Sequence, residues 1–239
     1  MLRSLPFLVA MGLVGCAADT GDEPSAESEE AISPEMQAGP ASMLPESVQL
    51  IHDNGVDYCT GVLVAPKIVL GAGHCIWDAK YTVRAPFAPG APSAHAVNWA
   101  VVDTRRDRVP ESRDIGLLVL DKPINLAHFP ALTQIGAQAD SGKTFKGVAV
   151  GHKREDPHAS LVRSKVMTIK SGKSLGYTNG LRGQYYSEGG DSGGPLFLYE
   201  DGKITHKLVG IERQPEPSRD ADWFTRIDAK VVSFIDAHR

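Results

Sequence analysis

Cysteine is scarce: the 239 residues hold three, Cys16, Cys59 and Cys75. Aromatic residues make up only 7% of the chain. No basic stripe with interleaved aromatics occurs, so nucleic acid is not an expected partner. No acidic loop with the ligand spacing of a calcium site stands out, and neither a metal nor a cofactor is expected. The apolar run Leu5–Val14 is too short to span a bilayer as a mature helix. Ala17–Pro45 has no aromatic residue at all and is rich in Ala, Ser, Glu, Asp and Pro. Such a stretch cannot bury enough apolar surface to offset its ordering entropy.

What is plentiful is glycine, with 24 residues, and proline, with 16. Together with ordinary apolar content they favour a loop-rich β protein with a proper core. The formal charge of −4 is unevenly spread. Of 29 acids and 25 bases, eight acids and one base lie in Met1–Glu46, leaving 21 acids and 24 bases in the remainder.

The N-terminus has one positive charge at Arg3 followed by the apolar run, the pattern of a secretory signal over residues 1–15. It ends Leu13-Val14-Gly15-Cys16, which resembles the bacterial lipobox, where cleavage precedes a cysteine that then carries lipid. Lipid on Cys16 implies an exported protein held at the cell envelope, since several acyl chains anchor firmly where one binds only marginally. Residues 16–45 are read as a disordered acidic tether or propeptide, and residues 46–239 as one folded domain.

Within that domain, Ser47–Leu50 alternates weakly as a first strand. Apolar runs on either side of Ala65-Pro66-Lys67 suggest a hairpin of Gly61–Val64 and Ile68–Leu70. Trp99–Val102 and Ile115–Leu120 read as buried strands, and Pro130–Gln138 as a connection between two halves. Phe145–Gly151, Leu161–Ile169, Leu196–Leu198 and Lys207–Ile211 supply strands of the second half. Ile227, Val231, Phe234, Ile235 and His238 fall at helical spacing, so Ile227–His238 reads as a terminal amphipathic helix with Asp228 near its N-cap. Strand alternation by itself leaves a sandwich and a pair of barrels both open.

Gly189–Leu196 reads GGDSGGPL. Ser192 there sits among glycines, which let the backbone approach a reacting carbonyl. Cys59–Cys75 reads CTGVLVAPKIVLGAGHC, and Arg113–Leu120 reads RDIGLLVL. In their order along the chain, Cys59–Cys75, Arg113–Leu120 and Gly189–Leu196, the three stretches resemble the signature segments of the chymotrypsin/trypsin-like serine proteases. The resemblance runs from about Val48 to the C-terminus.

It implies an all-β fold of two packed six-stranded antiparallel β-barrels with a C-terminal α-helix. It implies endopeptidase activity on protein or peptide substrates through an acyl-enzyme. The family's triad falls on His74, Asp114 and Ser192, in the chain order used by chymotrypsin-type enzymes and not by subtilisins or α/β-hydrolases. The backbone N–H groups of Gly190 and Ser192 become the oxyanion hole, and Cys59 and Cys75 the disulfide beside the histidine. Tyr186, six residues before Ser192, takes the base of the P1 pocket. Asp222 takes the opposite wall, where it either attracts a P1 Arg or Lys or points to solvent.

Gly190–Gly194 also fits the G-x-S-x-G elbow of α/β-hydrolases. Pro195 stands where the following helix should start, and only 47 residues follow Ser192. The chain also departs from the family. No Ile-Val-Gly-Gly occurs to supply the amine that pairs with the acid before the serine, here Asp191; the nearest candidate is Ile32. Glu188 replaces a pocket cysteine, and Arg213-Gln214-Pro215 replaces the Ser-Trp-Gly segment that binds substrate backbone. A proline there removes a donor. These departures keep open a surface-anchored binding protein, a pseudoprotease, on the same scaffold.

Overall fold

The computed structural model describes residues 37–56, 58–103, 112–151, 161–187, 189–216 and 220–239. The signal, Cys16, Ile32 and Glu188 lie outside the described residues. After β1 (Gln37–Pro40) come β2 (Ser47–His52), β3 (Tyr58–Ala65), β4 (Ile68–Gly71), β5 (Tyr81–Arg84), β6 (Ser93–Asp103) and β7 (Ile115–Leu120). Strands β2 to β7 close into an antiparallel barrel of order β2-β3-β4-β7-β6-β5. The β3–β4 hairpin turns at Pro66-Lys67, as the sequence suggests. β4 and most of β7 are buried, which is why they read as unbroken apolar runs instead of alternating ones.

The second half contains β8 (Ala131–Leu132), the short helix α1 (Gly136–Asp140), and then β9 (Phe145–Gly151), β10 (Val162–Ser164), β11 (Met167–Ser171), β12 (Gly180–Gly183), β13 (Pro195–Glu200), β14 (Lys203–Glu216) and β15 (Ala221–Arg226). A second ring runs β9-β11-β12-β15-β14-β13 and closes where β13 pairs back onto β9. The stretch Leu161–Ile169 is not one strand. It splits at Lys165-Val166 into β10 and β11, which run in succession along one edge of β9. The pair of six-stranded barrels is therefore the architecture that the resemblance implies, and the sandwich is excluded.

The fold begins before residue 46, which corrects the expected boundary. β1 pairs with β10, and Ala41 and Leu44 are fully buried in the core shared by the two barrels. Two apolar side chains in a polar stretch are too few to show periodicity, yet they suffice to dock it. That shared core takes Leu70 and Leu117 from one barrel, Phe197 and Ile211 from the other, and Val231 and Ile235 from the last helix. The serine loop and the histidine turn meet at this junction.

The last helix, α2 (Ala229–Asp236), starts where its cap predicts. Asp228 Oδ1 accepts the Val231 N–H at 3.0 Å, and Arg113 donates to Asp228 Oδ2 at 2.9 Å. Burial pushes the Asp228 carboxyl upward, but those two donors hold it below the usual carboxylate range. Burying Val231 and Ile235 stabilises the docked helix by roughly 1.5–3 kcal/mol each. No described helix is long and apolar enough to cross a membrane.

Candidate active site

His74 lies in a single 3-10 turn, Gly73–Cys75, directly after β4. Its ring is held by Asp114, which precedes β7. His74 Nδ1 stands 2.7 Å from Asp114 Oδ2, and the His74 backbone N–H donates to Asp114 Oδ1 at 2.8 Å. One carboxylate thus grips the ring and the main chain of the same residue. The His74 side chain is 5% exposed and that of Asp114 0%. An ionised carboxylate accepts only, so Nδ1 carries the proton and Nε2 presents its lone pair.

The backbone of Asp114 is strained, with φ at +26°, a region Asp tolerates better than most residues. Its N–H donates to Ser112 Oγ at 3.3 Å. The Arg113–Asp228 pair ties the same segment to α2. Helix docking thus fixes the acid that orients the histidine.

Ser192 sits in the turn before β13 and is partly exposed. The Thr60 N–H on β3 donates to the Ser192 carbonyl at 2.9 Å, and Thr60 Oγ1 donates to the Gly190 carbonyl at 3.0 Å. Gly193, at φ +85°, is pressed against the first barrel. A Cβ there would lie 2.3 Å from the Thr60 carbonyl oxygen and 2.9 Å from the Ala72 nitrogen. The serine loop therefore packs onto Gly71–Ala72, the residues that lead into His74. Thr60 is a part of this site that the sequence reading missed. Its only signal in the sequence is its place directly after Cys59.

Cys59 and Cys75 form a disulfide, with Cα atoms 6.3 Å apart. It staples β3 to the residue after His74. Replacing both cysteines by alanine is expected to lower stability by on the order of 3 kcal/mol in the chain-entropy model. Urea denaturation measures this. A midpoint unchanged at constant m would refute it.

The two residues assigned to the P1 pocket are fully buried. The Asp222 carboxylate accepts the N–H of Ser187 at 2.9 Å and the Ser187 hydroxyl at 2.7 Å, and also the Tyr186 N–H. Neither expectation for Asp222 describes this position: it points neither to solvent nor, unengaged, at a P1 cation. The reason is that Tyr186 and Ser187 fold back over β15 and saturate the carboxylate. The Tyr186 ring stacks on Phe224, with centroids 6.0 Å apart, and its buried hydroxyl has no hydrogen-bond partner among the described residues. Burial, then Glu212, Asp222 and Asp191, push that hydroxyl's pKa upward.

Glu212, on β14, is a second buried acid that sequence reading passed over. Ser187 Oγ lies 2.9 Å from Glu212 Oε1 and 2.7 Å from Asp222 Oδ1. A hydroxyl has one proton to donate, so two ionised carboxylates here would leave one contact with no hydrogen between its oxygens. The pair therefore holds a proton. Burial, and then Asp222, raise Glu212 well above its ordinary value against the pull of Ser187. Burial raises Asp222 from 3.8 to about 7, with the Ser187 and Tyr186 donors opposing.

An acid whose folded pKa is raised binds more protons folded than unfolded, so stability falls as pH rises through that interval. For Asp222 the interval runs from 3.8 to about 7. Melting temperature is expected to drop between about pH 4 and pH 7, and Glu212→Gln, which mimics the protonated acid, to flatten the drop. A wild-type melting temperature that climbs over this range would contradict the buried pair.

Arg213, beside Glu212, is 5% exposed. Burial draws its guanidinium below the ordinary value, and Asp114 is the largest of the negative influences that draw it back. A cation thus stands in the field of the carboxylate that holds His74.

The family model described as Trypsin matches residues 35–235. Among solved structures, the scabies mite inactivated protease paralogue S-I1 is similar at 19% identity. That match has a TM-score of 0.62 and covers 82% of this chain and 95% of the other. The scabies mite inactivated protease paralogue S-D1 is similar at 16% identity and the same TM-score, covering 84% and 95%. At these identities the two structures bear on the fold, and the family match spans most of the sequence: the chain belongs to the trypsin family.

Proposed function

We propose that the chain is a serine endopeptidase. Ser192 attacks the carbonyl of a peptide bond in a protein or peptide substrate. His74 Nε2 takes the hydroxyl proton and returns it to the leaving amine, and water then hydrolyses the acyl-enzyme. Asp114 keeps the tautomer and stabilises the imidazolium, and the N–H groups of Gly190 and Ser192 bind the oxyanion. These are the roles of the handed-down triad of this family, and none needs a metal or a cofactor. The observation that carries the reading is the double grip of Asp114 on His74, beside a serine loop packed against the histidine turn.

A fluorophosphonate probe tests it, since labelling needs nucleophile and base assembled together. Wild type is expected to label at Ser192 and to cleave a denatured protein substrate, and Ser192→Ala to do neither. Folded wild type that neither labels nor cleaves would replace this reading with the second one, a non-catalytic binding protein. That second reading is favoured by the packed pocket floor at Tyr186 and Asp222 and by the inactivated proteins on the same scaffold.

We further propose that the protein is exported and anchored in the cell envelope by lipid on Cys16, on the strength of Leu13-Val14-Gly15-Cys16. Cys16→Ser is expected to move the protein to the soluble fraction. A membrane-bound Cys16→Ser protein would end the proposal. Cleavage near Ile32 to free an amine for Asp191 would separate the protease from that anchor.

A further inference from the structure

Between Ala17 and Met36 the chain carries Asp19, Asp22, Glu23, Glu27, Glu29, Glu30 and Glu35, and no base. This segment runs directly into β1, and Gln37 at the start of β1 lies opposite Ser164. The acidic chain therefore joins the fold beside Lys165, which is exposed.

From Lys165 onward the second barrel presents cations. Lys146 stands opposite Thr168, and Lys170 stands opposite Arg182. Directly paired residues share a sheet face, and Thr168 and Lys170 alternate onto the same one. Lys170 and Arg182 thus stand side by side across a ladder on the outer face of the barrel. Next to them a cleft of about 510 Å³ is lined by Lys143, Lys170 and Lys173. Its acid, Asp140, is already engaged by Arg226 at 3.1 Å and by Ser171. A second cleft of about 300 Å³ continues the surface through Lys170 and Arg182 to Asp220. Among the described residues positive charge is in excess on this face, and Lys165 and Lys170 form no ion pair with a described carboxylate.

We propose that this face is the docking surface for the chain's own acidic segment, residues 17–36. Charge is complementary. Reach is ample, since about 20 extended residues span roughly 60 Å or more. Attachment at Gln37 also gives the segment an effective concentration on the order of millimolar at the face. A free polyanion has the same chemistry but not that advantage.

Carbodiimide coupling of the full chain, which joins carboxylates to amines in direct contact, reads the contact. Mass spectrometry is expected to find links from Asp19–Glu35 to Lys143, Lys165, Lys170 and Lys173. They should vanish in about 1 M salt, where the screening length is about 3 Å. Links scattered over lysines elsewhere would overturn the proposal. A second measurement uses heparin as the probe. Replacing the seven acids by Asn and Gln uncovers the face and is expected to tighten heparin binding about tenfold or more. Adding Lys143→Ala, Lys165→Ala, Lys170→Ala and Lys173→Ala should cancel the gain. Heparin binding as tight before neutralisation as after it would overturn the proposal and leave the face free for an external polyanion.

Discussion

Asp114→Asn is expected to lower kcat by about 10⁴, with little change in KM. The reason lies in the two contacts Asp114 makes. Oδ1 accepts the His74 backbone N–H at 2.8 Å, and an asparagine oxygen does this equally well. Oδ2 faces Nδ1 at 2.7 Å, and an asparagine puts an NH₂ there. The amide then donates, Nδ1 must accept, and the ring proton moves to Nε2. The turn keeps its shape, since Asn also tolerates the φ of +26°, but the Nε2 lone pair that the proposed mechanism uses is gone. Fluorophosphonate labelling should slow in parallel with kcat, because both need the Nε2 lone pair. The loss should ease at high pH, where a hydroxide-assisted route grows. A variant within about tenfold of wild type would remove Asp114 from the mechanism.

The parts of this site that could be read in the sequence are those whose constraints are local. His74 comes in a run of small residues because a tight turn must pack between two barrels. Ser192 comes among glycines because the loop touches β3 and the end of β4 through backbone atoms. Asp228 announced α2 because a cap acts over three residues. What stayed hidden depends on residues far apart in the chain. Ser187, Glu212 and Asp222 form one buried group across 35 positions, and only the fold brings them together. Thr60 reaches Gly190 across 130 positions. β6 corrects the expectation of a buried strand at Trp99–Val102: Trp99 is exposed and Ala100–Val102 are half-buried, and the first half, Ser93–Asn98, is mostly exposed and lacks an apolar run. The break at Lys165-Val166 was missed because both halves continue the same edge of β9.

Gly194→Ala is expected to cost more than about 3 kcal/mol and to abolish labelling at Ser192, a large effect for one methyl group. A Cβ on Gly194 would stand 2.0 Å from the Val150 carbonyl oxygen and 2.9 Å from the Asp191 carbonyl oxygen. Both are main-chain atoms in hydrogen-bonded structure, so no rotamer change relieves the contact. The Gly194 N–H donates to the Asp191 carbonyl at 2.9 Å, and its own carbonyl accepts the Glu212 N–H at 2.7 Å. Moving Gly194 away from β9 therefore breaks the turn that presents Ser192 and the ladder that carries Glu212. Gly202→Ala supplies the contrast. Gly202 has φ +80° with nothing within 4 Å of a new Cβ, so its cost is backbone strain alone, about 1–2 kcal/mol. Denaturant midpoints at constant m, with labelling measured on the folded fraction, separate the two effects. If Gly194→Ala proves no worse than Gly202→Ala and still labels, the serine loop is not seated on β9 as described.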